Sequence, residues 1–204
     1  MHIRLYNNGT ILAPLKCGTR YLDKIFKDDV TGFDLVEFKR TLFLPNVREI
    51  VVRSPMEHLT SALHTSILTA YNDTERDKRI EIDLKFIIDE FCLYKKTDLQ
   101  NTHWRCDIYE TLYWVWRRNR NNINIIELKD LTSYLKKEIS NLPEYDSKEY
   151  DFHTYQFWCS KDEIMLFIKT NYTEQWDNLM QQVEDANIFY NYLINKELIE
   201  IKLI

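Results

Sequence analysis

The chain has 204 residues, of which 45% are hydrophobic and 29% charged, with a formal net charge of −5. That length suits one domain with a sizeable core, and the composition is that of an ordinary globular protein. The acidic balance argues against broad nucleic-acid binding and leaves room for a local basic pocket.

In chain order, Thr10 to Ala13 reads as a short strand that ends at Pro14. Thr19 to Lys27 follows as a helix with Tyr21, Leu22, Ile25 and Phe26 along one side. Phe33 to Phe38, preceded by Gly32, is a second strand. Glu49 to Arg53 (EIVVR) is a third, a continuous β-branched run suited to a parallel strand buried on both faces. Pro55 opens a helix at a position where its missing N–H costs nothing, and Leu59, Leu63 and Ile67 recur there at i, i+4 spacing. Ile80 to Tyr94 and Tyr109 to Arg118 read as helices, Asn124 to Leu128 as a fourth strand and Asp130 to Ile139 as another helix. Strands alternating with helices imply an α/β fold with a mostly parallel sheet of four or five strands flanked by helices. From about Pro143 onward the chain is richer in Tyr, Phe and Asn and is expected to pack helices across the sheet, all within one domain spanning 1–204.

Residues 1–16, MHIRLYNNGTILAPLK, lack a basic start followed by a long apolar stretch, so no signal peptide is expected. No run of 18 apolar residues points to a membrane span. The four cysteines (Cys17, Cys92, Cys106, Cys159) show no C-x-x-C pairing and fall at irregular intervals, which fits reduced thiols in a cytoplasm.

The segment TILAPLKCGTRYL, residues 10–22, carries the first chemical signal. A strand enters a tight turn holding Lys16 and Gly18 and passes directly into a helix starting near Thr19. Unpaired N–H groups at a helix start, with the helix dipole, favour an anion by ~0.3–1 kcal/mol. Lys16 adds a full charge and Thr19 a hydroxyl, so the turn is a phosphate or sulfate cradle. The spacing G-x-x-x-x-G-K-[ST] of a kinase-type loop is absent. A phosphatase-type C-x5-R loop fails as well, because its arginine position is Asp23.

Lys16-Cys17-Gly18-Thr19 resembles the 5′-phosphosulfate-binding loop of the sulfotransferase family, P-K-x-G-T-[TS]. Leu15 stands where that family has proline, and Arg20 replaces the second Thr or Ser. EIVVRSPMEHLTSAL, residues 49–63, resembles the family's 3′-phosphate-binding strand and helix, in which Arg is followed eight places later by Ser; here these are Arg53 and Ser61, with Ser54 in place of the usual Asp. A third segment, NTHWRCDIYETL, resembles the H-W-x-P-Q stretch of carbohydrate-type members through His103 and Trp104, with Cys106 and Asp107 replacing Pro and Gln. Together the three cover about residues 10–131 in separated pieces, and nothing in the last third aligns.

The resemblance implies a P-loop-like three-layer domain that transfers a sulfuryl group from 3′-phosphoadenosine 5′-phosphosulfate (PAPS, leaving 3′,5′-bisphosphoadenosine) to an acceptor hydroxyl, by preference on a carbohydrate, with no metal required. Lys16, Cys17, Gly18, Thr19, Arg20, Tyr21, Arg53 and Ser61 form the implied donor site. Lys16 would stabilise the bridging oxygen, and Arg53 with Ser61 would read the 3′-phosphate. Two base candidates are Glu37, near the end of the second strand, and His103; Asp34 stands behind both. The expected partner is a small-molecule or glycan acceptor, with oligomerisation left open. A nucleotide-dependent phosphoryl transferase and a non-catalytic nucleotide-binding protein are the competing classes.

Overall fold

The computed structural model describes residues 3–27, 29–33, 46–73, 84–92, 104–139, 142 and 160–199, the stretch 68–73 by its backbone. Its first element is one the hydrophobic pattern did not bring out. Strand β1 (Ile3–Tyr6) turns into β2 (Ile11–Pro14) through Asn7, Asn8 and Gly9, whose φ angles are 53°, 54° and 80°. Asn and Gly adopt this left-handed backbone at the least cost, and the Thr10 N–H closes the turn on the Asn7 carbonyl at 3.1 Å. The hairpin sets Ile3 opposite Pro14 and Tyr6 opposite Ile11.

Helix α1 (Thr19–Phe26) then leads to β3 (Val30–Phe33), which pairs antiparallel with β1. Strand β4 (Glu49–Val52) lies parallel to β2. Helices α2 (Pro55–Asp73), α3 (Leu84–Cys92) and α4 (Asp107–Arg118) separate it from β5 (Asn124–Glu127), parallel to β4. A 3₁₀ turn at Leu128–Asp130 enters α5 (Leu131–Glu138), and α6 (Lys161–Asn171) and α7 (Thr173–Asn195) follow. The sheet order is β3-β1-β2-β4-β5.

The expectation of a mostly parallel sheet is corrected by β1, which makes two antiparallel pairings beside the two parallel ones of β4. The tight turn makes the β1–β2 pair antiparallel, and β3, returning through α1 in the direction of β2, is antiparallel to the β1 strand that lies between them. The second expected strand begins earlier than the pattern suggested, with Gly32 inside it, and residues 34–38 of the expected span fall outside the described residues.

The pleat divides the apolar residues between two cores. Ile3, Leu5, Leu12, Ile50 and Val52 face α2, α3, α4, α6 and α7, whereas Tyr6, Ile11, Ala13, Val51 and Ile126 face α1 and α5. Helix α4 buries Ile108, Tyr109, Thr111, Leu112, Tyr113, Val115 and Trp116, almost its whole circumference. A helix apolar all round needs cover on its outer side too. That cover comes from α7, which packs chiefly on α4 and also on α2, α3 and α6. A fully bonded polar joint fixes α7: the Gln182 amide, 4% exposed, accepts the Trp104 indole N–H at 2.9 Å and donates to the Phe91 carbonyl at 3.1 Å. Among the described residues, no helix is long and apolar enough to cross a membrane.

Candidate functional site

The topology itself marks one place on the sheet. β2 and β4 are adjacent and parallel. From the end of β2 the chain enters α1 on one face, and from the end of β4 it enters α2 on the other. Where successive connections depart to opposite faces a crevice opens at the carboxyl ends of the strands, and open α/β sheets bind ligands there. Residues 15–18 and Arg53 are the first to leave those two strands.

The turn after β2 is tight. Lys16 and Gly18 have φ of 67° and 81°, and the Cys17 N–H returns to the Pro14 carbonyl at 3.1 Å. A non-glycine residue in the left-handed region costs roughly 1–2 kcal/mol, and strain of this kind gathers at ligand loops. Gly18 is the N-cap of α1 and accepts the Leu22 N–H at 3.0 Å, without a side-chain cap. A Cβ on Gly18 would lie 2.8 Å from the methyl tips of Leu128 and Leu131, so the turn rests directly against the start of α5. The first turn of α1 holds no acidic residue and does hold Arg20. The positive end of the α1 dipole therefore lies at this turn with no acidic residue in the helix's own first turn to answer it.

Lys16 reaches across the crevice. Its Nζ donates to the Thr65 hydroxyl at 2.9 Å, and that hydroxyl donates to the Ser61 carbonyl at 2.9 Å. Burial first, then the charges of Arg20, Lys161 and Arg53, lower the amine to about 8. Among the described residues, the charged neighbours that act on Lys16 are cations. Arg53 bridges the two strand ends: its guanidinium donates to the Lys16 carbonyl at 3.3 Å and approaches Glu57, one turn into α2, at 3.5 Å. Arg53 thus joins Lys16 at the two strand ends, and the charges of Arg20 on α1 and Lys161 on α6 act on the same amine.

The remaining expected residues divide into two groups. Thr19 is buried, and its carbonyl accepts the Tyr6 hydroxyl at 3.2 Å. Arg20 is half-buried beside Lys16. Ser61 is half-buried one turn ahead of Thr65, so α2 does bring its residues against the loop. Cys17 and Tyr21 instead face the core, 1% and 3% exposed. Burial pushes the Cys17 thiol up to about 12, against a smaller pull from the Arg53 charge and main-chain N–H, which removes nucleophilic character from it. Glu37, His103 and Asp34 lie outside the described residues. Beside His103, Trp104 is fully enclosed and Asp107 forms a two-point ion pair with Arg105 at 3.0 and 3.1 Å, a bond at the start of α4. Trp104 and Trp116, 0% and 2% exposed, have no face open to a ring of a ligand.

Sequence reasoning missed Lys161, Thr65, Tyr109 and the role of His58. Lys161 carries no local motif and comes from a helix that packs on α2. A cavity of about 380 Å³ also exists, bounded by the outer edge of β5, α5 and the end of α7, with Glu127, Tyr134, Lys137 and Lys196 in its wall. Its charged lining is mixed, with Glu127 and Asp130 beside Lys137 and Lys196. Among the described residues no group of three His, Cys, Asp or Glu side chains is placed to hold a metal ion. No protein-family model, curated protein or solved structure matches this chain.

Proposed function

We propose that the chain is a sulfotransferase on a P-loop-like three-layer fold, taking 3′-phosphoadenosine 5′-phosphosulfate as donor and a hydroxyl, by preference on a carbohydrate, as acceptor. The observation that carries this reading is the Lys16 amine, drawn down to about 8 by burial and by three cations. Gathering like charges around a half-buried ammonium costs free energy, and among the described residues no carboxylate is a cause of the Lys16 shift. A ligand carrying several negative charges offsets it on binding. The turn supplies helix N–H groups for one phosphate, and Arg53, a strand apart, supplies a separate contact for a second. A donor with phosphates at both its 5′ and 3′ positions matches two such points.

In the transfer, the acceptor oxygen forms a bond to sulfur as the bond from sulfur to the 5′-phosphate oxygen breaks. The acceptor proton passes to a base, for which Glu37 and His103 are the candidates. The leaving bisphosphate gains one negative charge at the bridging oxygen, where the Lys16 ammonium would neutralise it. Positioning and charge neutralisation of this type dominate the catalysis of such group transfers.

Thermal-shift titration tests the reading. Adenosine 3′,5′-bisphosphate is expected to stabilise the protein, by about 2.7 kcal/mol at a hundred times its Kd, and ATP with Mg²⁺ to do so far less. Preference for ATP with Mg²⁺ would transfer the assignment to a phosphoryl transferase. No response to either nucleotide would leave a non-catalytic interaction protein.

A further inference from the structure

Arg53 is the first residue beyond the end of the ladder: β4 stops at Val52, which pairs with Glu127. A main-chain carbonyl that leaves a sheet in a buried region needs another donor. Here the donor is Tyr109 of α4, 1% exposed, whose hydroxyl bonds the Arg53 carbonyl at 2.7 Å. That bond uses the one proton of the phenol. The 3.0 Å contact from the same oxygen to His58 Nδ1 must therefore be made with a proton on the imidazole. His58, on α2 and also 1% exposed, lies edge-on between the Trp104 and Tyr109 rings, with centroids 5.3 and 5.9 Å away. Burial holds the Tyr109 phenol well above its ordinary value, so its proton stays in place.

On its other side Arg53 meets the turn after β2 through its guanidinium, bonded to the Lys16 carbonyl at 3.3 Å. Its main-chain N–H approaches the Cys17 thiol. The residue is thus held from α4 at its carbonyl and from the turn at its other groups. We propose that Tyr109 is a positioning residue for anion recognition: its hydroxyl, held by His58, fixes the Arg53 main chain so that the guanidinium is already aimed into the crevice before a ligand arrives. This role deepens the donor-site reading and rests on it for the assignment of Arg53 to a nucleotide 3′-phosphate.

Tyr109→Phe keeps the ring and its packing and removes the clamp. Tyr113→Phe is the matched control, since the Tyr113 hydroxyl, one turn further along α4, accepts the Ile199 N–H at 2.8 Å, away from the crevice. Two measurements are made on both variants. The first follows phenylglyoxal modification of Arg53 by mass spectrometry in the unliganded protein. Several-fold faster modification of Arg53 in Tyr109→Phe, with Arg20 unchanged, is expected, and equal rates at Arg53 would overturn the clamp. The second compares calorimetric binding of adenosine 3′,5′-bisphosphate with that of adenosine 5′-phosphate. Tyr109→Phe is expected to weaken the bisphosphate about tenfold, equivalent to 1.4 kcal/mol, and to leave the monophosphate within a factor of two. Equal loss of both nucleotides, or the same loss in Tyr113→Phe, would reduce Tyr109 to a structural residue. If the wild type binds neither nucleotide, the donor reading falls, and the modification rates alone decide the clamp.

Discussion

Two helices of this protein begin in opposite ways. Helix α6 starts with a complete capping box: Ser160 Oγ accepts the Glu163 N–H at 3.2 Å, and the Glu163 carboxylate accepts the Ser160 N–H at 2.6 Å. Asp162 and Glu163 answer the dipole, and the two bonds from Ser160 lower the Glu163 carboxyl. Helix α1 starts at a glycine, without a side-chain cap and without an acid, and adds Arg20 instead. The first helix start is satisfied from within the chain. The second carries positive charge at a strand end, and on the proposed donor-site reading an anion from outside would answer it.

Substitutions can break that contrast, and the largest effect is expected at the turn. Lys16→Met removes the ammonium that would neutralise the leaving oxygen, and sulfuryl transfer is expected to fall about 10²–10³-fold. Its folding stability, measured by urea titration, is expected to hold or rise, because a half-buried ammonium on which three other cations act is gone. Unchanged transfer would remove Lys16 from the chemistry. Arg53→Gln comes next: calorimetry is expected to show bisphosphate affinity down roughly 10- to 100-fold, as hydrogen bonds to charged groups are worth about 1.5–3 kcal/mol. Affinity for the monophosphate that equals this loss would separate Arg53 from the 3′-phosphate.

A smaller effect appears with pH. The folded value of Lys16 is about 8 against an ordinary 10.5, so above pH 8 the folded protein has released a proton that the unfolded chain still holds. Stability of the unliganded protein, taken relative to Lys16→Met, is expected to rise from pH 8 toward 10.5, since the unfolded state binds more protons there. Anion affinity runs the other way and weakens over the same window, by at most about tenfold per pH unit. A falling relative stability would contradict an amine held low by burial and then by its neighbouring cations. The smallest effect belongs to the self-satisfied helix. Ser160→Ala is expected to cost about 1 kcal/mol in thermal or urea unfolding and to leave nucleotide affinity unchanged. Altered affinity there would show that the two helix starts are not independent.

Local chemistry was readable in the sequence and long-range chemistry was not. The EIVV run of β4, the Pro55 start of α2 and the Lys16-Gly18 turn each depend on neighbours a few residues away, and each stands where the pattern put it. β1 was missed although Asn8-Gly9 announces a hairpin, because Arg4 makes the strand look half-solvated. In the fold Arg4 is ion-paired with Asp23, and the Tyr6 hydroxyl bonds the same carboxylate at 2.9 Å. That partner is supplied by α1, after the next strand. The same limit hid Lys161, whose charge acts on Lys16 only once α6 packs on α2, and Tyr109, whose apolar spacing on α4 looks like core alone. The packing of α7 on α4 was likewise beyond the sequence, because it covers the Tyr- and Trp-rich circumference of α4 from a distant part of the chain.

The contact between Gly18 and the leucines behind it bears on how this sequence is free to vary. A φ of 81° disfavours every L side chain at position 18, whatever room is made for it. The 2.8 Å approach of Leu128 and Leu131 is a softer demand, because methyl tips can rotate away. In related chains position 18 is therefore expected to hold glycine while 128 and 131 exchange one aliphatic for another of similar volume. A side chain at position 18 in such a relative would go with a differently shaped turn, and the anion cradle would be lost with it.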